Sequence, residues 1–150
     1  MKFLHMADTH LGKREYDIEE RYDDFFAAFR SAIKSGIENE VDAILIAGDL
    51  FDRADVKPAA FIETVKIIHQ AKANNIPVVV IEGNHDVEFH SDSPESWLQV
   101  LAMSGYIRLL RSVYDQGRYQ LIQWEEGSQC GSYTDIGNMR IIGVGHSDLK

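Results

Sequence analysis

The chain has 150 residues, 45% of them hydrophobic, which is the length of one typical domain with enough apolar material to bury a sizeable core. Its formal net charge of −9, from 24 acidic and 15 basic residues, argues against a broad basic face that holds nucleic acid by charge alone. A single cysteine, Cys130, excludes an internal disulfide and a cysteine-based zinc site, and no run approaches the ~20 consecutive apolar residues of a membrane span.

The N-terminal apolar run is interrupted by His5 and Asp8 and lacks the continuous core of a signal peptide, so a cytoplasmic location is expected. Phe3-Leu4-His5-Met6-Ala7 reads as a first strand and leads into Asp8-Thr9-His10. An extended backbone there would send Asp8 and His10 to the same side, where a carboxylate and an imidazole can grip one metal ion. From about Ile18 to Glu38, the residues Ile18, Tyr22, Phe25, Phe26, Phe29, Ile33 and Ile37 fall at the steps of an amphipathic helix.

A second strand, Ala43 to Ala47, runs into Gly48-Asp49-Leu50-Phe51-Asp52. Gly48 permits a sharp turn that points the Asp49 carboxylate outward, where its two oxygens can bridge two cations. Asp52 and Asp55 read as loop or helix-capping residues and are kept out of the metal coordination. Pro58 starts a second helix that runs through Phe61, Ile62, Val65, Ile68 and Ala71 to Ala73, and Asn74-Asn75 ends it.

The β-branched run Val78 to Ile81 predicts a strand buried on both faces, followed by Gly83-Asn84-His85-Asp86. Asn84 offers an amide oxygen to a metal, His85 can donate to charge developing on a phosphate, and Asp86 suits the orientation of its neighbours. A third helix is predicted over Ser93 to Met103. Strands then follow over Ile107 to Leu110, Tyr119 to Trp124 and Met139 to Val144. Between the last two, Glu125 to Asp135 reads as a mobile hairpin loop. The β-α-β-α-β alternation predicts an α/β fold around a parallel sheet, with ligands gathered beyond the carboxyl ends of its strands.

These motifs resemble those of the calcineurin-like metallophosphoesterases: D-x-H, then G-D-x-x-D, then G-N-H-D or G-N-H-E, then downstream histidines. More narrowly, Leu4-His5-Met6-Ala7-Asp8-Thr9-His10-Leu11-Gly12 and Ala47-Gly48-Asp49-Leu50-Phe51-Asp52 look like the SbcD and MRE-eleven type of double-strand-break repair nuclease. The resemblance implies a four-layer α/β/β/α sandwich and two Mn²⁺ ions, with Mg²⁺ as a substitute. It also implies 3′ to 5′ exonuclease and single-strand endonuclease action on DNA. Carried over, Asp8 and His10 would bind the first metal, Asp49 would bridge both, Asn84 would bind the second, and His85 would assist at the scissile phosphate.

Lys13, Arg14 and Tyr16, after the first motif, and Arg53, after the second, are the candidates for contact with DNA phosphates. The family dimerises through helices of this region, so a homodimer is expected, with Phe61, Ile62, Trp97, Leu98 and Leu101 as candidate surface residues. The family's closing G-H-x-H is absent; Gly145-His146 comes nearest, followed by Ser147-Asp148. His5 and His69 read as structural, and His90 lies in a polar loop. The chain therefore reads as the N-terminal portion of a nuclease domain, without the capping domain or the segment that docks the SbcC or Rad-fifty ATPase. The competing readings are a phosphoesterase acting on small phosphodiesters or nucleotides, and a non-catalytic dimerisation fragment.

Overall fold

The computed structural model describes residues 1–14, 19–87 and 96–146. Strands and helices alternate along the chain as β1 (Phe3–Met6), α1 (Glu19–Glu38), β2 (Ala43–Ala47), α2 (Pro58–Ala73), β3 (Val78–Ile81), α3 (Trp97–Met103) and β4 (Arg108–Leu110). The four strands form one parallel sheet in the order β1-β2-β3-β4, with Leu4 and Val78 flanking Ile44. Parallel neighbours need a crossover between them, and each helix supplies one.

One face of the sheet is closed by the helices. Ile44, Ile46, Val78, Val80 and Leu109 meet Phe26, Phe29 and Ile33 of α1, Ile67, Ile68 and Ala71 of α2, and Leu98 and Leu101 of α3 in a single cluster. The stripe on α1 is the one its periodicity predicts, with Ile18 outside the described residues. Pro58 opens α2, where a missing N–H costs no helical hydrogen bond. Asn75 closes it in the left-handed region (φ 58°), and the Ile76 N–H returns to the Ala71 carbonyl at 3.0 Å.

Helix α3 starts at Trp97 because Ser96 caps it, its hydroxyl accepting from the Gln99 N–H at 3.3 Å. The predicted start at Ser93 lies outside the described residues. No helix among the described residues is long and apolar enough to cross a membrane.

Two antiparallel hairpins follow, β5 (Val113–Asp115) with β6 (Arg118–Gln120) and β7 (Tyr133–Ile136) with β8 (Met139–Ile142). Here the structure departs from the sequence reading. The strand expected over Tyr119 to Trp124 stops at Gln120, because the Ser132 hydroxyl donates to the Gln120 carbonyl (2.8 Å) and accepts from the Ile122 N–H (2.9 Å). A side chain thus takes the ladder positions a continuing strand would use. The expected loop to Asp135 ends early, since Tyr133 to Ile136 pairs with β8 and buries Thr134 and Ile136 in alternation.

Strand β8 stops short of Val144, and Gly143 marks the reason. A Cβ there would lie 2.3 Å from Leu110 Cβ and 2.8 Å from Ile81 Cγ2, so the chain crosses the ends of β3 and β4 where only glycine fits. On this second face of the sheet, Leu45, Val79, Ile81 and Leu110 join Ile141 and Gly143 around a cleft of 160 Å³.

Candidate metal centre

The three polar motifs lie just past the carboxyl ends of β1, β2 and β3, where neighbouring parallel strands bring their loops side by side. Backbone hydrogen bonds stitch the first two loops together: Asp8 N–H to the Gly48 carbonyl (3.2 Å), His10 N–H to that of Asp49 (3.0 Å) and Leu11 N–H to that of Leu50 (2.9 Å). The Thr9 hydroxyl adds a 3.0 Å bond to the Leu50 carbonyl. Leu11, Leu50 and Phe51 are at most 2% exposed and anchor the loops in the core. Burial of such side chains stabilises by about 1.5–3 kcal/mol each.

Asp8 and His10 do not converge by the extended geometry their spacing suggested. Strand β1 ends at Met6, and Asp8 (φ 53°), His10 (φ 43°) and Asp49 (φ 51°) are all left-handed. Aspartate and histidine tolerate this region better than most residues, yet each such position costs on the order of 1–3 kcal/mol and persists only where its surroundings over-determine it. The inter-loop hydrogen bonds supply that constraint.

Donor atoms of Asp8, His10 and Asp49 come within 4.8 Å of one another, and so do those of His10, Asp52 and His85. The His10 and His85 rings meet edge to face at 4.8 Å. His10 Nδ1 is buried and makes no hydrogen bond; Asp52 Oδ1 stands 3.5 Å away. An imidazole whose buried Nδ1 has no hydrogen-bond partner among the described residues, grouped with carboxylates, suits a divalent cation, since imidazole and carboxylate are ordinary ligands for one.

The third loop locks against Asp49. The His85 N–H donates to Asp49 Oδ1 at 2.9 Å, and a Cβ on Gly83 would fall 2.0 Å from that same oxygen. Asp86 is 4% exposed and accepts from the N–H groups of Gly83 (2.9 Å), Phe51 (3.0 Å) and Leu50 (3.3 Å), so one carboxylate holds two loops in register. Burial raises its carboxyl above the usual aspartate range; the three N–H donors oppose the rise, and the Asp49 charge adds to it.

His85 Nδ1 lies 2.8 Å from the Asp52 carbonyl, which can only accept, so Nδ1 carries the hydrogen and Nε2 is the atom left for proton exchange. Asn84 is exposed between Gly83 and His85.

Lys13 Nζ stands 5.9 Å from the Phe25 ring centroid, and the Arg14 guanidinium 5.5 Å from that of Tyr22. Arg53 is 83% exposed, its Nε 3.7 Å from Asp52 Oδ2. Arg14, Arg53 and Lys57 share with Asp52 and Tyr22 the lining of a 220 Å³ cleft that adjoins His10 through Asp52. Tyr16 and His90 lie outside the described residues.

His5 is exposed on the open sheet face, and His69 faces the Tyr106 ring at 6.3 Å. His146 is held by its backbone N–H to the Glu82 carbonyl at 3.0 Å. Of the helical surface residues, Leu98 and Leu101 are fully buried, whereas Ile62 is 53% exposed.

Asp52 is the residue that sequence reasoning set aside. It does not cap a helix, because Lys57 occupies the N-cap of α2, and it stands instead between both histidines. The final aspartate of G-D-x-x-D was the signal that could have found it.

Residues 1–145 match the family model described as Calcineurin-like phosphoesterase. The chain belongs to that family. Calcineurin-like phosphoesterases are metal-dependent enzymes that use divalent ions, and the described residues hold two groups of carboxylates and imidazoles that could bind one. Among curated relatives, the chain is 40% identical over 105 residues to the DNA double-strand break repair protein Mre11 of Methanosarcina mazei, a match covering 70% of this chain and 16% of that protein.

It is 37% identical over 112 residues to the Mre11 of Archaeoglobus fulgidus, covering 75% of this chain and 25% of that one. The Mre11 of Saccharolobus solfataricus is 40% identical over 86 residues, or 57% of this chain and 23% of its own length. The chain thus spans a quarter or less of these three curated relatives.

Proposed function

We propose that this calcineurin-like phosphoesterase acts in a DNA nuclease of double-strand-break repair, with Asp8, His10, Asp49, Asn84 and His85 in its active site. The observation that carries the reading is the convergence of Asp8, His10 and Asp49 donor atoms within 4.8 Å, in a chain 40% identical over 105 residues to a relative named for that repair. Asp8 and His10 would hold a first Mn²⁺, with Mg²⁺ as its substitute, Asp49 would serve both ions, and Asn84 would offer its amide oxygen to the second.

Two such cations, when bound, activate water and neutralise charge on a phosphodiester during in-line displacement. The chain's own residues do the rest. Asp49 Oδ1 accepts the His85 N–H, which orients its carboxylate before any ion binds. His85 keeps Nδ1–H on the Asp52 carbonyl and presents Nε2 to the phosphate or leaving oxygen. Acid help of that kind is worth about 10²- to 10⁴-fold in rate.

Arg14 and Arg53, beside the cleft, meet DNA phosphates, with Lys13 and Tyr16 as further candidates near Arg14 in sequence. The net charge of −9 is compatible with this, because bound cations invert the charge of an acidic site. The reading extends to 3′ to 5′ exonuclease and single-strand endonuclease action and to a homodimer. It also includes an SbcC or Rad-fifty type ATPase partner, engaged through parts of the relatives that this chain does not match. The setting is the cytoplasm or nucleoid, or the nucleus in a eukaryote, with this chain forming the N-terminal part of the nuclease domain.

The test is Mn²⁺-dependent release of nucleotides from duplex DNA, beside hydrolysis of a small aryl phosphodiester. Faster turnover of DNA supports the reading. Preference for the small diester overturns the DNA assignment, and hydrolysis of neither by a chain that binds Mn²⁺ overturns the catalytic one.

A further inference from the structure

Glu82 ends the apolar run of β3, directly before the Gly83-Asn84-His85-Asp86 loop, and is only 4% exposed. A carboxylate that deep must be paired, and three side-chain donors surround it. Arg111, at the end of β4, grips it in a fork, with Nε on Oε2 at 3.0 Å and Nη2 on Oε1. The Ser96 hydroxyl that caps α3 also donates to Oε1, at 2.6 Å. Arg111 is itself held in place, Nη1 donating to Gln99 Oε1 at 3.2 Å and its backbone N–H to the Gly131 carbonyl at 3.0 Å.

The peptide that follows is pinned from both directions. The Glu82 carbonyl accepts the His146 N–H at 3.0 Å, and the Gly83 N–H donates to Asp86 Oδ2 at 2.9 Å. Gly83 itself is wedged against the Asp49 carboxylate. The next residue is Asn84. Its reach toward a cation is therefore set by a root that cannot shift unless the buried fork opens.

We infer that Glu82 and Arg111 are positioning residues for the second metal: their bidentate pair fixes the root of the loop and so the place of the Asn84 amide oxygen. This rests on the proposed two-metal reading, in which Asn84 serves the second ion alone. Asp8 and His10 hang from β1 and are stitched to the β2 loop by other bonds, so the fork reaches the first ion only through Asp49, which Gly83 and the His85 N–H hold. A planar guanidinium is required because an ammonium cannot hold both carboxylate oxygens in one plane.

The test is calorimetric titration with Mn²⁺ alone, on the whole chain and on Glu82→Gln and Arg111→Lys, with thermal midpoints measured in chelator. The expected result is a two-step isotherm whose weaker step loses about 10- to 100-fold in affinity in both variants, while the tighter step, coupled to the fork only through Asp49, changes less. A merely structural staple would lower the metal-free midpoint and leave both steps alone, which overturns the inference. If Glu82→Gln does not fold, Ser96→Ala removes one donor from the same oxygen; the inference then requires a smaller loss in the weaker step, and none overturns it. Wild-type chain that binds no Mn²⁺ would overturn the two-metal reading itself, an outcome separate from equal binding by wild type and variants.

Discussion

The His85 N–H donates to Asp49 Oδ1 at 2.9 Å, so the carboxylate at the centre of the cluster is held by the backbone of the loop that carries the proposed catalytic imidazole. The proposed metal ligand and the proposed acid group are thereby one mechanical unit. A change on either loop is felt on the other.

Gly83→Ala tests that closeness. The new methyl would fall 2.0 Å from Asp49 Oδ1 and 2.4 Å from the Asp49 backbone nitrogen, so carboxylate and loop must part. Overpacking of this kind costs about 1–3 kcal/mol, and a denaturant midpoint should fall accordingly. Mn²⁺ affinity should drop as well, although no proposed ligand has been removed.

Asp86→Asn keeps the size of the side chain but turns an acceptor-only group toward three N–H donors. At least one donor is left facing another, at a cost of about 1–3 kcal/mol. Chemical denaturation at neutral pH should show the loss. Stability equal to wild type would mean that Asp86 does not hold the two loops in register.

Asp52→Ala separates two effects of one residue. The backbone carbonyl that takes the His85 Nδ1–H remains, whereas the carboxylate 3.5 Å from His10 Nδ1 goes. Mn²⁺ affinity should weaken about 10- to 100-fold, the usual effect of removing a group that supports a metal ligand. Wild-type Mn²⁺ affinity in a folded Asp52→Ala would mean that the carboxylate does not support the metal ligands.

Glu63 supplies a pH-dependent contribution away from the site. Its carboxyl is held below the usual glutamate range by the hydrogen bond from Arg30, with Lys66 adding to the effect. A depressed carboxyl stabilises the fold above its ordinary pKa, and the gain is lost as pH falls through the lowered value. Because Arg30 is 47% exposed, the pair is worth about 0–1 kcal/mol. Glu63→Gln should therefore reduce stability slightly at neutral pH and flatten its decline in acid, read from urea midpoints across that window.

The sheet and its helices were legible because their residues state one preference at every level. Ala43 to Ala47 and Val78 to Ile81 are continuously apolar, Pro58 can only begin a helix, and the stripe of α1 repeats at one period. The hairpins were not, since Ser132 interrupts one strand with its hydroxyl and Tyr133 to Ile136 hides its alternation behind a small polar run.

At the site, the residue types were legible and the backbone was not. No local pattern says that Asp8, His10 and Asp49 will all turn left-handed, because bonds between loops impose that conformation. Glu82 was visible only as a polar end to a strand; Arg111, its partner, lies 29 residues further on.

Calorimetric titration of Mn²⁺ into the chain and into Asp49→Ala, with circular dichroism to verify the fold of each, tests the central claim most directly. The account predicts saturable Mn²⁺ binding by the wild-type chain and its loss in a folded Asp49→Ala. Equal binding by the two, or a folded wild-type chain that takes up no Mn²⁺, would contradict it.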